Sequence, residues 1–147
     1  MKRLLAVVLF VTLLIGCVGV ASAADWEYIG SDDKQTSFFD TESFKKTGSQ
    51  TYAVWVKAEY TDAYGRELAK KYRFDRPVSY LLTKYEYNYV NSKTRILQVV
   101  FYDKGRRTIT SGNFSETATW GSLIPDSMGE MIFYTTYDYY KKHYLKN

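Results

Sequence analysis

The sequence predicts an α+β protein: a single antiparallel sheet of about six strands with a C-terminal helix packed across one face. Three observations predict it. From residue 25 to residue 112 the chain offers strand-like runs separated mostly by short turns, the pattern of an antiparallel meander. From residue 127 onward it carries the only long helical stripe of the mature chain. The whole is the size of one domain with one core.

The C-terminal helix has a marked start. Pro125 stops the preceding segment, and Ser127-Met128-Gly129-Glu130 has the form of a capping box. Ser127 is expected at the N-cap, with Glu130 reaching back to the Ser127 amide. Gly129, Ile132, Phe133, Thr136, Tyr137, Tyr140 and Tyr144 then fall on one face at helical spacing. Lys141, Lys142 and Lys146 stand at the end where positive charge suits the helix dipole.

The strands follow in order. Residues 25–29 and 36–40 form a first hairpin across a polar turn at 30–33, and 41–44 makes a helical turn before a loop at 45–50. Residues 51–60 alternate cleanly. Tyr52, Val54, Val56, Ala58 and Tyr60 share one face, and Thr51, Ala53, Trp55, Lys57 and Glu59 share the more polar other one. A polar excursion with a short helix at 66–72 ends at Pro77. Strands at 78–89, 94–102 and 107–112 follow, joined by turns at Asn91-Ser92 and at Asp103-Lys104-Gly105. Gly105 is expected to supply a positive φ. A Ser/Thr-rich stretch leads to Trp120.

The first 23 residues read as an export signal: Lys2 and Arg3, an apolar run over 4–20, then Ala21-Ser22-Ala23. Leu14-Ile15-Gly16-Cys17 opens an alternative, lipidation at Cys17. The absence of a polar tether after Cys17 favours cleavage after Ala23, and either route exports the protein. Removing 23 of the 147 residues leaves one domain over 24–147. No stretch of that domain is apolar enough to span a bilayer. With no cysteine after Cys17, the mature chain forms no internal disulfide.

The formal charge of +4 includes Lys2 and Arg3, which leaves +2, too mild to argue for nucleic acid. Aromatic residues make up 18% of the chain, with 15 tyrosines against 8 phenylalanines. Tyrosine suits a sheet with one face buried and one wet, and sheet packing is the plainer reading of most of these rings.

Catalysis is not expected. The one histidine, His143, stands four residues from the C-terminus and cannot anchor a nucleophilic triad inside a cleft. The counts exclude a His/Cys zinc site, and Asp32-Asp33 lacks a calcium loop around it. Glu59, Asp62, Glu86 and Asp103 could supply a carboxylate pair, but acids at strand ends read more plainly as solvated partners of Lys and Arg. No cofactor is expected.

Order and spacing carry a resemblance. Asp25-Trp26-x-x-Ile29-Gly30, Phe39-Asp40, Val54-Trp55-Val56-Lys57, Tyr85-Glu86-x-Asn88, Arg95-x-Leu97 and Tyr102-Asp103-Lys104-Gly105 precede Trp120 and Ile124-Pro125-Asp126-Ser127-x-Gly129-Glu130. Together they resemble the bacterial surface-adhesin protein E family over nearly the whole mature chain. The Pro-Asp-Ser-x-Gly-Glu run after a Trp is the most specific piece. The resemblance implies one sheet of about six antiparallel strands with a tethered C-terminal helix. In the family two cysteines supply that tether; here Tyr89 and Tyr137 stand at those positions. These rings are therefore expected to pack together. A disulfide there would contribute ~4 kcal/mol in the chain-entropy model, against ~1 kcal/mol for an aromatic pair beyond its buried area.

Two functions remain, both non-catalytic. One, implied by the resemblance, is an exported surface adhesin that contacts host or extracellular macromolecules. Its candidate contact patch is Tyr60, Tyr64 and Arg66 beside Lys70, Lys71 and Tyr72, for which a solvated loop is the plainer reading. The other is a periplasmic module that holds a small ligand or an envelope partner in the helix–sheet groove. A cavity beside Tyr89 and Tyr137 favours the second, and close packing there favours the first. The far sheet face, with Trp55 and Tyr80, leaves a homodimer open.

Overall fold

The computed structural model describes residues 23–145. The export signal, its Cys17 and Lys146 therefore lie outside the described residues, apart from Ala23. The elements are β1 (Trp26–Ser31), β2 (Gln35–Asp40), a 3-10 turn (Thr41–Ser43), β3 (Lys45–Lys46), β4 (Thr51–Tyr60), α1 (Asp62–Tyr72), β5 (Tyr80–Asn88), β6 (Lys93–Tyr102), β7 (Thr108–Asn113), β8 (Gly121–Ser122) and α2 (Met128–Tyr144). The sheet runs β1-β2-β4-β5-β6-β7, each neighbour antiparallel, with β3 added beside β4 and β8 beside β6. The meander and the helix across it are as the sequence predicts.

Several local expectations are corrected. The helix expected over 66–72 begins at Asp62, because the Thr61 side chain caps it by accepting from the Tyr64 amide at 3.4 Å. The loop expected over 45–50 contains the two residues of β3, and the stretch before α2 contains β8. The positive φ in the β6–β7 turn falls on Arg106 (61°), and no described glycine has one. Gly105 serves a close approach instead: a Cβ there would lie 3.3 Å from the Asp103 Oδ1. At α2, Ser127 is the N-cap and accepts from the Glu130 amide at 3.2 Å. Glu130, however, takes the amide of Asp126 (2.9 Å), not that of Ser127, because Asp126 turns at φ 57° and presents its N–H to the helix start.

Strand periodicity places the core. Tyr52, Val54 and Val56 point toward α2 and are buried, as are Phe39 of β2 and Tyr87 of β5 on the same side. From α2 come Ile132, Phe133, Thr136 and Tyr140, all buried. Each large apolar side chain so buried contributes ~1.5–3 kcal/mol. Gly129, expected on this stripe, is exposed in the first turn. Tyr139 was not expected in the packing, yet it meets Phe39 and Phe44 with ring centroids 5.2 Å away in both cases. The 3-10 turn sets Phe44 under the helix, where it also meets Tyr52, Tyr140 and Tyr144.

One polar contact sits in this apolar layer. The Thr136 hydroxyl donates to the Ile132 carbonyl (2.8 Å) within its own helix, so it accepts from the Tyr52 hydroxyl across the layer (3.0 Å). Burial pushes the Tyr52 hydroxyl well above the usual phenol range, so it stays protonated and donates. Tyr89, just beyond the end of β5, stacks on Tyr137 with centroids 5.4 Å apart and planes 12° apart. Its hydroxyl donates to the Ser49 carbonyl at 2.9 Å. Thr136→Val should cost ~1–3 kcal/mol, because it strands the Tyr52 donor in the core, whereas Tyr52→Phe should cost ~0.5–1.5 kcal/mol. Urea unfolding of both variants checks this; no measurable loss in either would show that the contact holds nothing.

Candidate functional site

Alternation divides the sheet into a face under α2 and a face turned away from it. Helix α2 covers mainly the β1, β2, β4 and β5 side. Across β6 and β7 the same face stays open and forms an apolar trough of about 550 Å³. Its floor is Tyr85, Ile96, Val99 and Phe101, and its wall is Phe114 and the 117–119 segment. Phe114 lies against Gly112, where a Cβ would come within 2.7 Å of the ring. At the end near α1, Tyr72 and Phe74 lean toward Phe101, with Phe74 5.3 Å away by centroid.

The face turned away from α2 has a different chemistry. It carries all three tryptophans, each with a cation over its ring. Lys57 lies 4.9 Å from Trp26, Lys84 5.9 Å from Trp55, and Arg95 4.6 Å from Trp120. Lys57 also meets Phe38 at 4.8 Å, and Tyr80 stacks on Tyr102 at 4.6 Å. Trp55 and Tyr80 are half-buried there. Cation–π pairs of this kind contribute ~0.5–1 kcal/mol each at partly exposed sites. Their larger effect is order, since a long side chain tied to a ring keeps one position.

Buried carboxylates anchor both ends of this face. Glu86 is buried and ion-paired with Arg95, the residue that also covers Trp120. Asp103 is buried in the β6–β7 turn. Its Oδ1 accepts from the Arg107 amide at 2.9 Å, and its Oδ2 accepts from Arg107 Nε (2.9 Å) and Arg76 Nη1 (3.2 Å). Of the four acids, Glu59, Glu86 and Asp103 are thus partners of cations, with Glu86 and Asp103 buried instead of solvated, and Asp62 is exposed. Glu59 pairs with Lys57 at 2.8 Å and is the exposed member of its pair. Asp62 and Asp103 line one cleft, where Asp103 is held by Arg76 and Arg107.

The contact patch expected around α1 is divided. Tyr60 packs edge-on against Tyr64 (5.4 Å), Lys34 lies over Tyr64 (5.5 Å), and Tyr72 stacks on Phe74 (5.8 Å). Arg66 points elsewhere, into a cleft between α1 and the β6–β7 turn. The segment is a helix with ring partners and not a solvated loop. Asp32, the acid weighed for calcium, accepts from the amides of Lys34 and Gln35 in a turn, and these hold its carboxyl below the ordinary value. Among the described residues, no group of three or more His, Cys, Asp or Glu is placed to hold a metal ion. His143 stacks on Tyr139 at 4.2 Å, exposed at the helix end.

Residues 26–136 match the family model described as surface-adhesin protein E. The chain belongs to the surface-adhesin protein E family. Its fold is also similar to the crystal structure of protein E from non-typeable Haemophilus influenzae, at 14% identity and a TM-score of 0.50. That match covers 86% of this chain and 85% of the other. No curated protein matches. Within this adhesin-family chain, the sequence signal that pointed to the far face was Trp55 and Tyr80. Trp26 and Trp120 were legible only as family motif positions, because their pairing with cations depends on strand register.

Asp103 makes the far end of the sheet sensitive to acid. Its carboxyl is held below the ordinary value, chiefly by the Arg107 amide and then by the Arg107 side chain. A lowered carboxylate contributes stability that is complete above the ordinary range near about pH 4, and that is lost as pH falls through the lowered value. Asp103→Asn should therefore be less stable at neutral pH and show a shallower loss between neutral and acid. Urea midpoints over that range decide it, and parallel curves would show that Asp103 does not carry the effect.

Proposed function

We propose that this protein is exported and acts as a non-catalytic surface adhesin that meets an extracellular macromolecule with the face turned away from α2. One observation carries the reading. In a chain of the surface-adhesin protein E family, three tryptophans from three distant segments lie on one face, each ordered by a cation. Tryptophan, tyrosine and arginine are the residue types that dominate binding at macromolecular interfaces, and the lysines here serve to order the rings. The reading includes an export signal over residues 1–23, and a mature domain over 24–147 or a lipid-anchored start at Cys17. A second copy of the chain could occupy the same face through Trp55 and Tyr80.

The second reading, a periplasmic module for a small ligand, is favoured by the apolar trough and not by the expected groove at Tyr89 and Tyr137. Those rings are stacked against each other and against the core. The trough lies farther across the sheet, beyond the helix edge.

One comparison separates the two. Purified protein is titrated onto immobilised extracellular-matrix material, beside a Trp55→Ala/Trp120→Ala variant and a Val99→Trp variant that fills the trough. The adhesin reading expects saturable binding, weakened about a hundredfold in the double tryptophan variant and unchanged in Val99→Trp. Loss only in Val99→Trp would transfer the function to the trough. Protease shaving of intact cells, with osmotically opened cells as control, reports whether the domain stands outside.

The tether position is tested separately. If Tyr89 and Tyr137 occupy the place of the family disulfide, Tyr89→Cys with Tyr137→Cys should oxidise to an intramolecular bridge and raise stability by ~4 kcal/mol at most. Free thiols persisting after oxidation, measured by mass, would sink that assignment.

A further inference from the structure

We propose that the cleft between α1 and the β6–β7 turn binds a tetrahedral oxyanion, a phosphate or sulfate group. The cleft holds about 350 Å³ at the end of the sheet, between the segment 76–79 and the β6–β7 turn. Four cations line it, Arg66, Arg76, Lys104 and Arg107, against two carboxylates, Asp62 and Asp103. One of those carboxylates is already spent. Asp103 is buried, and its two oxygens accept from Arg76 and Arg107 side chains and from the Arg107 amide.

That arrangement does more than neutralise charge. Arg76 and Arg107 come from segments far apart in sequence, yet both guanidiniums are gripped by the same oxygen. Each spends two of its donors on carboxylates: Arg107 Nε and Nη2 on Asp103, Arg76 Nε on Asp75 and Nη1 on Asp103. The remaining donors of each planar fork are uncommitted, and both residues line the cleft, in which Asp62 is the one carboxylate without an ion-pair partner among the described residues. Arg66 and Lys104 have no ion-pair partner among the described residues. Two ordered forks and two unspent cations converging on one concavity match the geometry by which phosphate and sulfate are held.

The position of Arg66 is itself fixed by packing. Gly65 lies so close to the segment before β5 that a Cβ there would meet the Val78 carbonyl oxygen at 2.0 Å, and the Val78 amide donates to the Gly65 carbonyl at 3.2 Å. Helix α1 is therefore docked backbone to backbone, with Asp62 and Arg66 turned to the cleft. A solvated surface helix would need no such contact.

The probes are inorganic phosphate and inorganic sulfate, titrated at constant ionic strength with chloride as the balancing ion and followed by amide chemical shifts. Saturable shifts confined to residues 62–66, 76–79 and 103–107 are expected. Arg66→Gln and Lys104→Gln, neither of which touches Asp103, should each weaken binding about tenfold and leave the anion-free melting temperature unchanged. Shifts that follow chloride equally, or affinity unchanged in both variants, overturn the site. Two further arms, glucose 6-phosphate and a sulfated disaccharide, identify the source. Tighter binding of either ester than of its free ion assigns the group to a larger molecule, and equal affinity assigns the free ion. The far-face tryptophans are not involved, so this test and that of the adhesin reading can fail independently.

Discussion

The Tyr52–Tyr140 stack, with its neighbouring hydroxyl bond to Thr136, is the contact on which the fold depends. A single sheet has no second sheet to bury its inner face, so something else must cover it. Here one helix does so, and the centre of its grip is a pair of rings 4.4 Å apart by centroid. Around that pair the core is largely aromatic, with Phe39, Phe44, Tyr87, Phe133 and Tyr139 in ring contact. Aromatic pairs add ~0.5–1.5 kcal/mol each to the area they bury. A network of them can hold a helix on a sheet in a domain with no internal disulfide. The Tyr52–Thr136 bond adds direction: rings alone tolerate sliding, whereas a buried donor with one acceptor does not.

What was legible in the sequence follows from the same physics. Strands with strict alternation, such as β4, announce both their limits and their buried face, because one register alone buries Tyr52, Val54 and Val56 together. The capping residues of α2 were equally plain. Less legible were elements whose signal lies outside their own residues. The start of α1 at Thr61 is hidden because the segment after it is polar and charged, although a Thr-Asp pair is a helix start in its own right. Strands β3 and β8 have two residues each and exist only because β4 and β6 offer free edge groups. The left-handed residue of the β6–β7 turn is Arg106 and not Gly105, since Gly105 is needed for its missing Cβ beside Asp103.

The sites were harder to read than the fold for a stated reason. Charged residues looked scattered along the chain, and in sequence they are. Strand register then sets Lys57 beside Trp26, Lys84 beside Trp55 and Arg95 beside Trp120, pairs separated by 31, 29 and 25 positions. No local pattern encodes that. Asp103 was visible as a turn residue, but its capture of Arg76 depends on α1 folding back so that the segment before β5 passes the turn.

The coverage of the sheet explains where function can lie. Helix α2 reaches across β1 to β5, starting at its N-cap Ser127, whose side chain accepts from the Glu130 amide. The open half of the same face is apolar, whereas the opposite face is ordered by cations over rings. A trough of that kind accepts small apolar groups without discriminating among them. On the proposed adhesin reading the far face discriminates, because each of its tryptophans is held by a charge that a partner must either match or displace. Glu86 reinforces this: a buried carboxylate fixes Arg95, and Arg95 in turn fixes Trp120. Removing Arg95 would leave that carboxylate buried without its partner, a change costly enough to unfold the edge before it altered recognition. The order of the proposed binding face and the stability of the sheet therefore share the Glu86–Arg95 contact. Altering specificity without loss of fold is expected from changes at the tryptophans themselves or at Lys84, which no buried charge depends on, and not from changes at Arg95.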